Sequence, residues 1–99
     1  MRTVYEIADL REQVQHNRRE LIRTELQTCF IALDRARFEL SLGESYEARK
    51  EYSIVCHAMQ TIERFLRQAS SDMTEVESQL AELKASVESL RIELETFPA

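Results

Sequence analysis

Among 99 residues, Cys29, Cys56 and His57 are the side chains best suited to chemistry. A thiol beside an imidazole becomes a nucleophile when the base takes its proton, and the same atoms begin a metal site. The surrounding spacing supports neither. No Cys-x-x-Cys or His-x-x-x-His supplies the ligands that zinc takes. Cys29 falls within an apolar repeat and Cys56 beside one, so both read as small buried hydrophobes, with a redox-sensitive pair as the alternative. His57 falls near the outer position of its helix, turned away from the sulfurs. No metal and no cofactor is expected.

Carboxylates are more numerous, yet Glu75, Glu77, Glu82, Glu88, Glu93 and Glu95 all avoid the apolar repeat of their segment, as a solvated helix surface requires. General acid–base work needs carboxylates in a cleft with displaced pKa values, and a carboxylate-bridged metal centre needs Glu-x-x-His pairs that this chain lacks. A single glycine leaves nothing from which to build a phosphate-cradling loop. An enzyme is therefore not expected, and no catalytic residue is assigned.

Charge narrows the partners. With 13 Lys+Arg against 18 Asp+Glu the net charge is -5, which repels a polyanion, so nucleic acid is not an expected partner. Residues 1–50 hold nine basic and nine acidic side chains and residues 51–99 four and nine, which puts the whole excess in the second half. The one locally basic stretch, Arg11, His16, Arg18, Arg19 and Arg23, is interrupted by Glu12 and Glu20. It reads as a solvated helix face, or as a docking patch for an acidic partner such as the third helix of a second subunit. No run approaches the roughly 18 apolar residues that span a bilayer, so no membrane is expected, and Met1-Arg2-Thr3-Val4-Tyr5-Glu6 lacks the apolar core of a secretory signal. A cytoplasmic location follows as the expectation, with both cysteines kept as thiols.

Few breakers interrupt the chain: Gly43, the Ser70-Ser71-Asp72 cluster and Pro98. Between them the spacing predicts three helices, at about 4–42, 44–69 and 73–97, in one domain spanning 1–99. Thr3-Val4-Tyr5-Glu6 has capping-box spacing, Asp72-Met73-Thr74-Glu75 offers a carboxylate version, and Gly43 suits the left-handed residue that ends a helix. In the third helix Met73, Val76, Leu80, Leu83, Val87, Leu90, Leu94 and Phe97 recur at alternating spacings of three and four. That is a heptad seam. The second helix repeats it in Ala48, Tyr52, Val55, Met59, Ile62, Leu66 and Ala69, and the first in Ile22, Leu26, Cys29, Leu33, Ala36 and Leu40. The fold expected is an all-α, coiled-coil-like three-helix bundle with a long N-terminal helix. Upstream, Ile7, Leu10, Val14 and Leu21 follow a different frame, interrupted by Asn17, Arg18 and Arg19, which predicts a stutter or kink near residues 15–20.

An antiparallel hairpin about Gly43 sets residue i level with about residue 86 minus i, so the end of the second helix aligns with residue 16. The first helix then projects by about a dozen residues, on the order of 18 Å. The third helix starts at the same level and runs the other way. The projection carries Val4, Tyr5, Ile7, Leu10 and Val14, an apolar face that needs burial. It would fold back onto its own bundle or meet another molecule, and an intermolecular contact is favoured. Ile31 and Phe38, with Leu42 one turn on, lie almost opposite the first helix's core stripe and form a second face suited to an oligomer.

Around the first turn, Ala36, Gly43, Ala48 and Tyr52 have the spacing of a tetratricopeptide-type hairpin, in which small residues let the helices approach and an aromatic fills the gap. Residues 32–60 resemble that hairpin and that of microtubule-interacting-and-transport domains. Glu39, Ser45, displaced Tyr46 and Gln60 depart from the repeat's usual residues. The resemblance implies an interaction module and carries over no groove residue. The expected function is thus a small helical interaction module that self-associates, most simply as a dimer, through Val4, Ile7, Leu10, Val14, Ile31, Phe38 and Leu42, with another protein as a further partner. The alternative is a small acidic chaperone or adaptor that holds an amphipathic client helix.

Overall fold

A computed structural model describes residues 3–68 and 73–96. They form helices α1 (Val4–Ser41), α2 (Ser45–Gln68) and α3 (Thr74–Thr96), with no strand among the described residues. The expected Asp72 cap, the Ser70-Ser71-Asp72 break, and Ala69, Phe97 and Pro98 lie outside them.

The sequence signals at the two ends of α1 work as their chemistry requires. The Thr3 hydroxyl accepts the Glu6 N–H at 3.2 Å, and the Glu6 carboxylate accepts the Thr3 N–H at 3.2 Å, completing the capping box. At the other end Gly43 adopts φ 78°, where its missing side chain avoids strain. The Gly43 N–H donates to the Leu40 carbonyl at 3.0 Å and the Glu44 N–H to that of Glu39 at 2.8 Å, the paired bonds of a Schellman turn. The phase change expected to bring a stutter or kink does not break the helix: α1 is helical without interruption through residues 15–20. Asn17, Arg18 and Arg19 neither remove a backbone donor nor introduce a glycine, so they give the helix no reason to break.

The core consists of residues that the spacing selects, together with Ala32, which lies off the predicted seam. Ile22, Leu26, Cys29, Leu33, Ala36 and Leu40 of α1 are buried, as are Ala48, Val55 and Ile62 of α2. Met73, Val76, Leu80, Leu83, Val87, Leu90 and Leu94 complete the core from the α3 side. Tyr52, Met59 and Leu66 are half-buried against the same cluster, joined by Phe30 and Phe65, which lie off the predicted seams. Burying a leucine or isoleucine contributes roughly 1.5–3 kcal/mol, so these stripes rather than surface charge hold the helices together.

Polar links between helices fix direction. Arg35 meets Glu51 at 3.6 Å across α1 and α2, an antiparallel pair in the register centred on Gly43. Arg23 reaches Glu75 at 3.2 Å and Arg37 donates to the Ser86 carbonyl at 3.2 Å, so α1 and α3 run parallel. Lys84 meets Glu63 at 3.0 Å, and Arg49 donates to the Leu94 carbonyl at 2.8 Å. Leu94 sits in the last turn of α3, where carbonyls lack helical partners and the dipole favours a cation, so Arg49 caps α3 from α2. The molecule measures 61 × 21 × 16 Å, and α1 alone, 38 residues or about 57 Å, accounts for nearly all of its length.

Candidate interaction surface

The first buried residue of α1 is Ile22. The register explains why. Arg23 pairs with Glu75, the second residue of α3, and α2 ends at Gln68, level with about residue 18 of α1. Every residue from Thr3 to Val14 is exposed, including Val4 at 81% and Tyr5 at 84%. Ile7, Leu10 and Val14, each 40–47% exposed, line a shallow groove along α1 with Arg11, Arg18 and Arg19. One helix supplies all of its walls.

The second predicted face is exposed as well. Ile31, Phe38 and Leu42 stand 53–63% accessible on the side of α1 away from the core. These two faces are one stripe. Ile7, Leu10, Val14, Asn17, Leu21, Thr24, Thr28, Ile31, Arg35, Phe38 and Leu42 follow each other at unbroken alternating spacings of three and four. The core stripe, extended upstream from Ile22, instead meets Arg19, Gln15 and Glu12. The phase change that suggested a kink is therefore a change of which face is apolar, on a helix that stays intact. Leu21, 46% exposed, belongs to this outer stripe and was not among the expected contact residues, although the same spacing would have found it. Tyr46, Ile54 and Ile92 are further exposed apolar residues off the stripe.

The expected basic cluster divides. Arg23 is held by Glu20 at 3.1 Å and by Glu75, whereas Arg11 and Arg18 flank the outer stripe. On the stripe's other flank stand Glu6 and Glu20. At the hairpin end, loss of water and the facing carboxylates of Glu51, Glu47 and Glu44 push the half-buried Glu39 carboxyl above its ordinary range.

The thiols occupy the levels that the hairpin register gives them. Cys29 is buried, and burial, aided by the charge of Glu25, raises its pKa to about 11. Cys56 is half-buried, burial and the neighbouring Cys56 thiol push the Tyr52 hydroxyl above its ordinary range, and His57 is exposed. A raised thiol pKa disfavours the thiolate that nucleophilic chemistry needs. Among the described residues no group of His, Cys, Asp and Glu could hold a metal ion, and no helix is long and apolar enough to cross a membrane. No family model, curated protein or solved structure matches the chain.

Proposed function

We propose that this chain is a helical protein–protein interaction module that self-associates through α1. The observation that carries the reading is the outer stripe: a three-helix core is complete without it, yet Ile7, Leu10, Val14, Leu21, Ile31, Phe38 and Leu42 all face solvent in a single chain. A continuous apolar stripe opposite a finished core matches what a helix needs to pack on both sides. Sedimentation equilibrium tests it. A dimer at tens of micromolar is the expected result, and a species of only 11.6 kDa would refute self-association. A second reading, an acidic adaptor that holds a client helix, draws on the groove beside Arg11, Arg18 and Arg19, which would suit an amphipathic helix with an acidic edge. In that case the chain stays monomeric until such a peptide is added.

A further inference from the structure

Ile7, Leu10 and Val14 lie toward one end of the outer stripe and Ile31, Phe38 and Leu42 toward the other, with Asn17, Thr24 and Thr28 between them. That distribution fits itself when reversed. With residue i of α1 set level with residue 45 minus i of a second α1, the helix covers itself from Val4 to Ser41, its first and last residues. The same register keeps the heptad packing, in which the two kinds of stripe position alternate across an antiparallel pair. Ile7 then meets Phe38, Val14 meets Ile31, and the polar Asn17 meets Thr28. Leu21 meets the methyl group of Thr24, and Leu10 the aliphatic stem of Arg35, whose guanidinium Glu51 holds at 3.6 Å. The apolar overhang and the exposed face of the bundle are thus counterparts.

We propose that two copies of this chain pair antiparallel through the outer stripe of α1, each overhang lying along the outer face of the other's bundle between Thr28 and Leu42. The inference rests on the self-association reading above and adds its partner, a second copy, and its orientation. Charge supports that orientation along the whole stripe. In an antiparallel pair each edge of the stripe faces the same edge of the other copy. On one edge Arg18 faces Glu25, twice about the two-fold axis, while Arg11 faces Ala32 and Glu39 faces Val4. On the other edge Glu20 faces Gln27, Gln13 faces Asp34 and Glu6 faces Ser41. No like charges meet. A closed parallel pair must be in register, and it would set Glu20 against Glu25, Asp34 against Glu39 and Arg35 against itself. Shifting the antiparallel pair by one heptad sets Arg18 and Glu20 each against itself in one direction, and Glu20 against Asp34 and Glu25 against itself in the other. The hairpin end supplies a separate reason. There Glu39 feels the charges of Glu44, Glu47 and Glu51, and parallel pairing would bring two such clusters together. Antiparallel pairing holds them at opposite ends of the assembly, each level with the first turn of the other copy's α1, where the helix dipole is positive. The bundles create no obstacle, because the core face of α1 lies opposite the stripe and carries α2 and α3 outward.

Cysteine placement and charge reversal in the full chain test the orientation. Positions 14 and 31 lie about 25 Å apart along one helix, too far for a disulfide within a chain. In a Cys29→Ala, Cys56→Ala background, Val14→Cys together with Ile31→Cys should give a covalent dimer on mild oxidation, and neither substitution alone should. Arg18→Glu should raise the dimer dissociation constant by about tenfold, since it sets a carboxylate against Glu25 on both sides of the axis. Glu25→Arg should do the same. The two reversals in one chain should restore the dimer, which also shows that they leave the fold intact. A cross-link from Val14→Cys alone would make the pair parallel and overturn the proposal while leaving self-association standing. A dimer that ignores both reversals and gives no cross-link in the paired cysteine variant would overturn it equally, by moving the contact off the stripe. A chain that stays monomeric throughout, even one that captures an added amphipathic peptide, removes both readings together.

Discussion

Arg35 on α1 and Glu51 on α2 lie 3.6 Å apart, and their numbers sum to twice that of Gly43. The hairpin is therefore symmetric about its one glycine, without slippage between the two helices. Arg35 is largely exposed, and a surface ion pair of this kind contributes at most about 1 kcal/mol. The pair reports the register rather than imposing it. Ala36 and Ala48, both fully buried near the turn, impose it by letting the helices come close.

Gly43→Ala should destabilise the bundle by about 1–2 kcal/mol, the cost of a left-handed conformation for a residue with a side chain. A Cβ at this position would meet nothing within 4 Å, so the cost is conformational and not steric. Thermal melts followed by circular dichroism would measure it, and Gly43→Asn should lose less because asparagine tolerates that conformation. An alanine variant as stable as the parent would refute this account of the turn.

Core and outer stripe should separate cleanly by substitution. Leu33→Ala removes a fully buried side chain and should cost about 2–5 kcal/mol of unfolding free energy. Phe38→Glu changes a residue 63% exposed in the single chain and should alter the unfolding of dilute protein by under about 0.5 kcal/mol, yet weaken the assembly more than Glu82→Lys does. Denaturant titration at low concentration, paired with sedimentation at high concentration, distinguishes the two effects.

Thiol reactivity should rank Cys56 above Cys29. A maleimide at neutral pH should label half-buried Cys56 first and Cys29 only after denaturation, because burial both blocks access and suppresses the thiolate. The raised Cys29 pKa also bears on stability. Between the ordinary thiol value of 9.0 and about 11, the unfolded chain has lost its proton while the folded one keeps it, so stability should fall as pH rises through that window. Cys29→Ala should flatten that part of the profile. A profile that the substitution leaves unchanged would assign the alkaline loss to other groups.

Deleting residues 1–14 should leave the bundle folded, since no residue from Thr3 to Val14 is buried within the chain. The truncated protein should keep its helicity per residue and a cooperative melt. Its dimer should weaken by at least tenfold, about 1.4 kcal/mol, because Ile7, Leu10 and Val14 leave the contact. Unchanged association would move the contact to Ile31, Phe38 and Leu42 alone.

The fold was legible in the sequence to a fine grain, and for a specific reason. A three- and four-residue spacing that runs from Met73 to Leu94 without a gap has one inexpensive solution, and every member of it is buried. Thr3, Glu6 and Gly43 were equally plain, because each acts on backbone within a few residues of itself. Links formed between distant segments were not. Arg49 and Arg37 look like ordinary surface arginines until α3 brings the Leu94 and Ser86 carbonyls beside them. The expectation of a stutter or kink followed one apolar frame at a time. Asn17, Thr24, Thr28 and Arg35 interrupt the outer stripe, so its two halves read as separate faces, and the intact helix was needed to join them.

The capping box at Thr3 and Glu6 has a consequence for how the molecule breathes. It closes the end of a segment that, in one chain, has only its own backbone bonds to sustain it, and a lone helix of that length is marginal in water. Amide hydrogens from Ile7 to Val14 should therefore exchange through local fraying, quickly and independently of global unfolding, with protection climbing steeply at Ile22 where packing begins. Whatever docks along the overhang would bind a spring-loaded coil as much as a finished rod, and part of its binding energy would go into winding that spring tight.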